Sequence, residues 1–98
     1  MKFTLITGAS SGIGKEIAKE LNRRGYDLIL VARRLEKLNK LKEQLNGNII
    51  TIDCDLASVE NCIELYTKVK DYNITVLINN AGFGAIGYFN EIRLQRDL

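Results

Sequence analysis

The sequence contains no histidine. Neither Ser-His-Asp nor Cys-His catalysis is therefore available within this chain. Its two cysteines, Cys54 and Cys62, lack the spacing of a metal site, and no histidine is present to assist them as a ligand. We therefore expect both cysteines to be reduced thiols that are partly buried.

The sequence also has little net charge and no long apolar run. Its formal net charge is +2, so no general affinity for nucleic acid or anionic membranes follows. No apolar run approaches the length that spans a bilayer, and the run after Met1 is too short for a secretory signal. With 98 residues, of which 46% are hydrophobic, the composition predicts one small cytoplasmic domain, residues 1–98.

Apolar runs alternate along the chain with stretches whose apolar residues recur at helical spacing. The runs predict strands at residues 2–7, 27–32, 48–53 and 75–79. The periodic stretches predict helices at residues 12–24, 35–45 and 59–69. Ser58 is expected to cap the third helix. The apolar stripes expected to face the core are Ile13, Ile17, Ala18 and Leu21 in the first helix, Leu35, Leu38, Leu41 and Leu45 in the second, and Val59, Cys62, Ile63, Tyr66 and Val69 in the third.

The resulting order is β-α-β-α-β-α-β. Strands that are apolar throughout, rather than alternating, indicate a sheet covered on both faces. Helices between successive strands indicate parallel pairing with right-handed crossovers. The sequence therefore predicts an α/β fold, a doubly wound parallel sheet of the Rossmann type, with strand order 3-2-1-4.

The segment TGASSGIG, residues 7–14, lies between the first strand and the first helix and is called the glycine loop below. Gly8, Gly12 and Gly14 allow a tight turn and a close approach to a pyrophosphate, and Ser10 and Ser11 can add hydroxyl donors. The helix that begins near Gly12 directs its free N–H groups and its positive dipole end at the anion. The alternative is an ordinary glycine-rich turn, but a loop that follows a strand and opens a βαβ unit favours phosphate binding.

The glycine loop has the spacing T-G-x-x-x-G-x-G, and N-N-A-G follows at Asn79-Asn80-Ala81-Gly82. In these two motifs the chain resembles the short-chain dehydrogenase/reductase family, over about the first two-fifths of a typical member. The resemblance implies hydride transfer between a nicotinamide dinucleotide and a small-molecule carbonyl or alcohol substrate. A sugar-nucleotide epimerase on the same fold usually has T-G-x-x-G-x-x-G, which this chain does not have.

The second strand ends in VARR, where Arg33 and Arg34 stand in place of the acidic residue that binds the ribose of NAD. Guanidinium groups there would pair with a 2′-phosphate, and the resemblance implies the same, so we expect NADP(H). The alternative is a solvated surface pair. The full set predicted to bind the cofactor is Gly8, Ser10, Ser11, Gly12, Ile13, Gly14, Arg33, Arg34, Asp55, Leu56, Asn80, Ala81 and Gly82.

The resemblance also implies roles after the third and fourth strands. Asp55 would receive the adenine amino group, with the Leu56 backbone beside the ring, whereas loop capping or a metal pair with Asp53 is the alternative reading. Asn80, Ala81 and Gly82 would line the cofactor ribose, and Asn79 would brace the sheet. The residues expected to open toward the nicotinamide and substrate are Phe83, Gly84 and Gly87.

Catalytic residues are not predicted in this chain. The family uses a tyrosine with a lysine four positions later, a serine and an asparagine. The only such tyrosine–lysine spacing is Tyr66 to Lys70, but it precedes N-N-A-G, and Tyr66 belongs to an apolar stripe. We therefore expect the cofactor-binding half of an enzyme, inactive alone, whether as a fragment, a truncated gene product or a chain completed by a partner.

Two further expectations concern association and the alternative function. A fourth strand at an open sheet edge favours homo-association or strand exchange, so a homo-oligomer is expected. The alternative to an enzyme is a non-catalytic NADP(H)-binding module or redox sensor, which would have the same loop and arginines.

Overall fold

A computed structural model describes residues 1–80, in which strands and helices alternate. The strands are β1 (Phe3–Thr7), β2 (Asp27–Ala32), β3 (Ile49–Asp53) and β4 (Ile74–Asn79). The helices are α1 (Gly12–Arg23), α2 (Leu35–Glu43) and α3 (Val59–Val69). Residues 81–98, including the predicted Ala81, Gly82, Phe83, Gly84 and Gly87, lie outside the described part.

The four strands form one parallel sheet in the order β3-β2-β1-β4. β1 pairs with β2 on one side and with β4 on the other, and β3 pairs with β2. The chain thus begins in the middle of the sheet, winds outward through β2 and β3, and returns to the other side of β1 for β4. This topology confirms the predicted doubly wound sheet and its strand order.

Each face of the central strands supports its own hydrophobic cluster. On one face Leu5 of β1 and Ile29 of β2 pack with Leu65 of α3, and all three are fully buried. On the other face Ile6 and Leu30 pack against α1 and α2. Because neighbouring residues of a strand point to opposite faces, two covered faces require the strands to be apolar throughout, as the sequence predicted.

Some expected core residues are exposed. Ile13 is 71% exposed and borders an open depression on the surface of α1, where no other described element covers it. Leu35, Val59 and Ile63 are also exposed, since they flank the buried stripes of their helices rather than forming their centres. On β4, Val76 is 44% exposed, because within residues 1–80 β4 is an edge strand with one neighbour.

The predicted α2 is two residues too long. Its last helical residue is Glu43, and the N–H groups of Gln44 and Leu45 then donate to the carbonyls of Leu41 and Lys42, three residues back. These bonds tighten the end of the helix. Leu45 nevertheless packs against the core as predicted, since it follows within the same tightened turn.

Helix α1 lies unusually close to the chain that leaves β1. A Cβ atom built on Gly14 would lie 2.2 Å from the carbonyl oxygen of Gly8 and 2.8 Å from Nδ2 of Asn80. Both distances are below any normal contact, and the nearer atom is backbone that cannot rotate away. The residue at position 14 must therefore lack a side chain for α1 to begin where it does.

Two side-chain bonds join the carboxyl ends of β1 and β4. The hydroxyl of Thr7 donates to Oδ1 of Asn79 at 3.1 Å, which fits the expectation that Asn79 braces the sheet. The Asn80 side-chain amide donates to the Gly8 carbonyl at 3.2 Å. The last residue of β4 and the residue after it are therefore tied to the start of the glycine loop.

The third helix begins with the predicted cap. The backbone N–H of Asn61 donates to the Ser58 hydroxyl at 3.2 Å, and the Asn61 side-chain amide donates to the Asp55 carbonyl at 2.7 Å. At the start of α1, by contrast, the Ser11 side chain makes no capping bond. Across the part of the chain that the structure describes, no helix is long and apolar enough to cross a membrane.

Replacing Gly14 by alanine tests the close approach of α1 to Gly8. Helix propensity alone predicts that Gly14→Ala stabilises the chain by about 1 kcal/mol, whereas the collision predicts a loss of about 1–3 kcal/mol. We expect the loss, measured as a lower midpoint of urea unfolding. Glu16→Ala, an exposed position on the same helix, should change stability by less than about 0.5 kcal/mol. A stabilised Gly14→Ala variant would contradict the packing described.

The two serines at helix starts form a matched pair for testing the cap. Ser58→Ala should lower the free energy of unfolding by about 1 kcal/mol, because the N–H of Asn61 loses its acceptor. Ser11→Ala should leave unfolding nearly unchanged, because that side chain makes no capping bond. Urea unfolding of both variants measures the difference, and equal losses would show that the Ser58 cap does not stabilise α3.

Candidate nucleotide-binding site

A cleft of about 480 Å³ opens at the carboxyl edge of the sheet. Backbone bonds that continue past the strands hold its walls together: the Ala9 N–H donates to the Val31 carbonyl at 3.1 Å, and the Cys54 N–H donates to the Ala32 carbonyl at 2.8 Å. The loops after β1, β2 and β3 therefore meet at one place. The cleft is lined by Gly8, Ser10, Ser11, Val31, Ala32, Arg33, Arg34, Lys37, Cys54, Leu56 and Asn80.

The glycine loop forms one wall of the cleft through Gly8, Ser10 and Ser11. Gly8 has a φ of 63° and Gly12 a φ of 58°, a left-handed backbone that other residues rarely adopt. These two turns carry the chain from the end of β1 into α1 within four residues. The first turn of α1 begins directly after Ser11, so its free N–H groups are directed toward this wall.

Three of the predicted loop residues do not line the cleft. Gly14 is buried against Gly8 behind the wall. Gly12 and Ile13 instead border a shallow depression on the outer side of α1, together with Lys15 and Ile17. Gly12 and Gly14 therefore shape the loop and the start of the helix rather than the surface of the cleft.

The second strand brings two cations to the opposite wall. Arg33 and Arg34 follow directly after β2, both are exposed, and both line the cleft. Within residues 1–80 neither guanidinium forms an ion pair, although Arg23 and Arg24 on α1 both pair with Glu20. The two arginines are thus exposed positive charges at the cleft that have no salt-bridge partner within residues 1–80.

The third strand supplies the floor of the cleft. Leu56 is buried there as an apolar surface, but the Asp55 side chain does not line the cleft. Its carboxylate accepts a bond from the Ala57 N–H at 3.1 Å, which corresponds to the loop-capping alternative. Asp55 instead borders an adjoining depression of about 300 Å³ that also contains Arg33 and Glu64. Among residues 1–80, no group of His, Cys, Asp or Glu side chains could hold a metal ion.

Four lining residues, Val31, Ala32, Lys37 and Cys54, were absent from the predicted set. Cys54 is half-buried, its thiol donates to the Asn61 carbonyl at 3.4 Å, and burial together with the charge of Glu64 raises the pKa of the thiol. Both cysteines are free thiols, as predicted. Lys37 reaches the cleft from the first turn of α2, one helical turn after Arg33. That spacing is the sequence feature that could have identified Lys37 as a lining residue.

Tyr66 is half-buried and does not line the cleft. Its ring packs against the buried residues between the sheet and α3, as the apolar stripe predicted. Asn80 lines the cleft and holds the Gly8 carbonyl, whereas Ala81 and Gly82 fall outside the described residues.

Comparison with known proteins assigns the chain to a family. A profile of the short chain dehydrogenase family matches residues 2–96. The very-long-chain 3-oxoacyl-CoA reductase of Coccidioides immitis is 42% identical over 87 residues, which cover 82% of this chain and 25% of that protein. The chain spans about a quarter of the length of the first curated relatives that it matches.

Solved structures show the same likeness. The bulky-bulky ketone specific alcohol dehydrogenase from Comamonas testosteroni is 39% identical, with a TM-score of 0.73 over 86% of this chain and 36% of that one. A short-chain dehydrogenase from Sphingobium yanoikuyae in complex with NADPH is 36% identical, with a TM-score of 0.73 over 85% of this chain and 35% of that one. Sequence and fold agree: the chain belongs to the short-chain dehydrogenase/reductase family and matches its N-terminal part.

Proposed function

We propose that residues 1–98 form the NADP(H)-binding part of an oxidoreductase that transfers hydride between the nicotinamide and a carbonyl or alcohol substrate. One observation supports this above the others. The glycine loop, through Gly8, Ser10 and Ser11, and the two arginines after β2 line one cleft at the carboxyl edge of the sheet. In doubly wound folds this edge, next to the point where the strand order reverses, is where nucleotides bind.

The cleft offers what each part of the cofactor requires. The pyrophosphate would lie against the glycine loop, where the N–H groups of α1 and the hydroxyls of Ser10 and Ser11 are donors. Adenine would rest on the apolar floor at Leu56, and Asn80 would border the ribose beside the nicotinamide. Asp55 would contact the adenine amino group only by giving up or sharing its bond with the Ala57 N–H.

The arginines after β2 support NADP(H) over NAD(H). A guanidinium binds a phosphate through two parallel charge-assisted hydrogen bonds, whereas the ribose hydroxyls of NAD(H) are usually bound by a carboxylate at this place. Here the first acidic residue after β2 is Glu36, which does not line the cleft. Relatives solved with NADPH and with NADP support the same preference.

The nicotinamide of the bound cofactor would give or accept the hydride. The residues of this chain would bind and orient the cofactor. None of them corresponds to the family's catalytic serine, tyrosine or lysine, so the chemical step is proposed for any longer protein that contains this chain. We further propose that such a protein is cytoplasmic and assembles into a homo-oligomer. A non-catalytic NADP(H)-binding module or redox sensor is the second candidate, because the described cleft contains binding groups alone.

A titration of the chain with NADPH and NADH tests the cofactor assignment. NADPH should bind more tightly, and Arg33→Ala should weaken NADPH binding by about tenfold or more while NADH binding changes little. Arg24→Ala, which removes an exposed arginine outside the cleft, is the matched control and should change neither affinity. Isothermal titration calorimetry measures both affinities, on variants whose circular dichroism spectra match that of the unmodified chain. Equal binding of the two cofactors, or an unchanged preference in Arg33→Ala, would refute the role of the arginines.

A further inference from the structure

Three cations, Arg33, Arg34 and Lys37, line the cleft on the same wall. All three are exposed, and within residues 1–80 none forms an ion pair with a carboxylate. By contrast, Arg23, Arg24 and Lys68 each pair with a glutamate three or four positions earlier in the chain. Carboxylates do lie nearby, since Arg33 borders the depression that contains Asp53, Asp55 and Glu64, and Glu36 precedes Lys37, but within residues 1–80 none of them forms a salt bridge with these three cations.

The position of Lys37 is unfavourable unless an anion is present. Lys37 is the third residue of α2, in the first turn, where the positive end of the helix dipole repels a cation. Arg34, the N-cap residue of α2, lies one turn earlier and adds like charge at a spacing of three residues. Lys40 and Lys42 lie in the last turn of the same helix, where the dipole favours cations.

We propose that Lys37 is a specificity-determining residue, the third cation of a site for the phosphate monoester on the adenosine ribose of the cofactor. This inference rests on the proposed function. Arg33 and Arg34 present planar forks that bind two oxygens each, and Lys37 presents a compact charge with three donors on a flexible stem. A phosphate monoester with about two negative charges and three terminal oxygens has acceptors for all three cations.

The chemistry of these three side chains also limits which group of the cofactor they can recognise. Its cationic side chains have no acceptor atoms, so they gain nothing from a neutral ribose hydroxyl that they would not gain from water. The pyrophosphate that NADPH and NADH share would lie against the glycine loop on the other wall, so the free energy that Lys37 contributes belongs mainly to the 2′-phosphate. Lys37 should separate NADPH from NADH without contributing to the binding of both.

Substitution of Lys37 by glutamine removes the charge and keeps much of the chain length. Lys37→Gln should weaken NADPH binding by about three- to tenfold, the size expected for one solvent-exposed charge on a phosphate, and leave NADH binding within about twofold. Lys37→Arg, which keeps the charge, should retain most of the preference for NADPH. Lys40→Gln removes a cation from the same helix but away from the cleft, and it should change neither affinity.

Salt provides a second readout that a merely structural role of Lys37 would not change. Raising the ionic strength from about 0.05 M to about 0.5 M should reduce the ratio of NADPH to NADH affinity, because exposed charge pairs are screened. The reduction should be smaller for Lys37→Gln than for the unmodified chain, since one of the screened charges is gone. Titration calorimetry of the 98-residue chain at both ionic strengths measures this, with circular dichroism melting to verify that each variant is folded.

Two outcomes overturn the inference and leave the proposed function intact. One is an unchanged NADPH-to-NADH ratio in Lys37→Gln while Arg33→Ala lowers that ratio, and the other is an equal loss of both cofactors. A folded unmodified chain that binds the two cofactors equally, or binds neither, overturns the proposed function and this inference together. The inference is supported if Lys37→Gln selectively loses NADPH binding, Lys37→Arg retains most of the preference for NADPH, and Lys40→Gln changes neither affinity.

Discussion

The contact between Gly14 and the carbonyl of Gly8 is the constraint on which the nucleotide edge of the sheet depends. It brings the first turn of α1 against the chain that has just left β1, closer than any side chain at position 14 would allow. The same carbonyl accepts the bond from Asn80, so the end of β4 is held to the loop as well. The helix start, the loop and the two central strands are thereby fixed relative to one another before any ligand is present.

Much of the fold follows from the sequence because its central strands are buried on both faces. In β1 and β2 every position is apolar except Thr4, Thr7 and Asp27, so the strands appear as nearly continuous apolar runs, and the helical stripes between them are equally regular. The predictions of core residues were wrong where the burial of a side chain depends on parts of the chain that are distant in sequence. Ile13 has helical spacing like a core residue, yet it is exposed, because periodicity contains no information about which residues of a stripe other elements will cover.

The site was predictable to the extent that it is local in sequence. Gly8, Ser10 and Ser11 belong to one loop with a recognisable spacing, and Arg33 and Arg34 follow directly after a strand whose end could be located. Cys54 lines the cleft only because its N–H continues the pairing with β2 past the end of β3. That contact depends on the register of two strands, which no motif specifies. The bond of Asp55 to Ala57 was likewise one of two readings that the sequence left open.

The half-buried thiol at the floor of the cleft has a consequence for the chemical durability of the protein. Because burial and a neighbouring glutamate raise the pKa of Cys54, the sulfur is protonated at neutral pH, and a protonated sulfur reacts slowly with peroxides, disulfides and electrophiles. We therefore expect Cys54 to react more slowly than an exposed cysteine, although it lines the cleft. The thiol thus gives the cleft a small, polarisable lining atom that is less open to oxidation than an exposed thiolate.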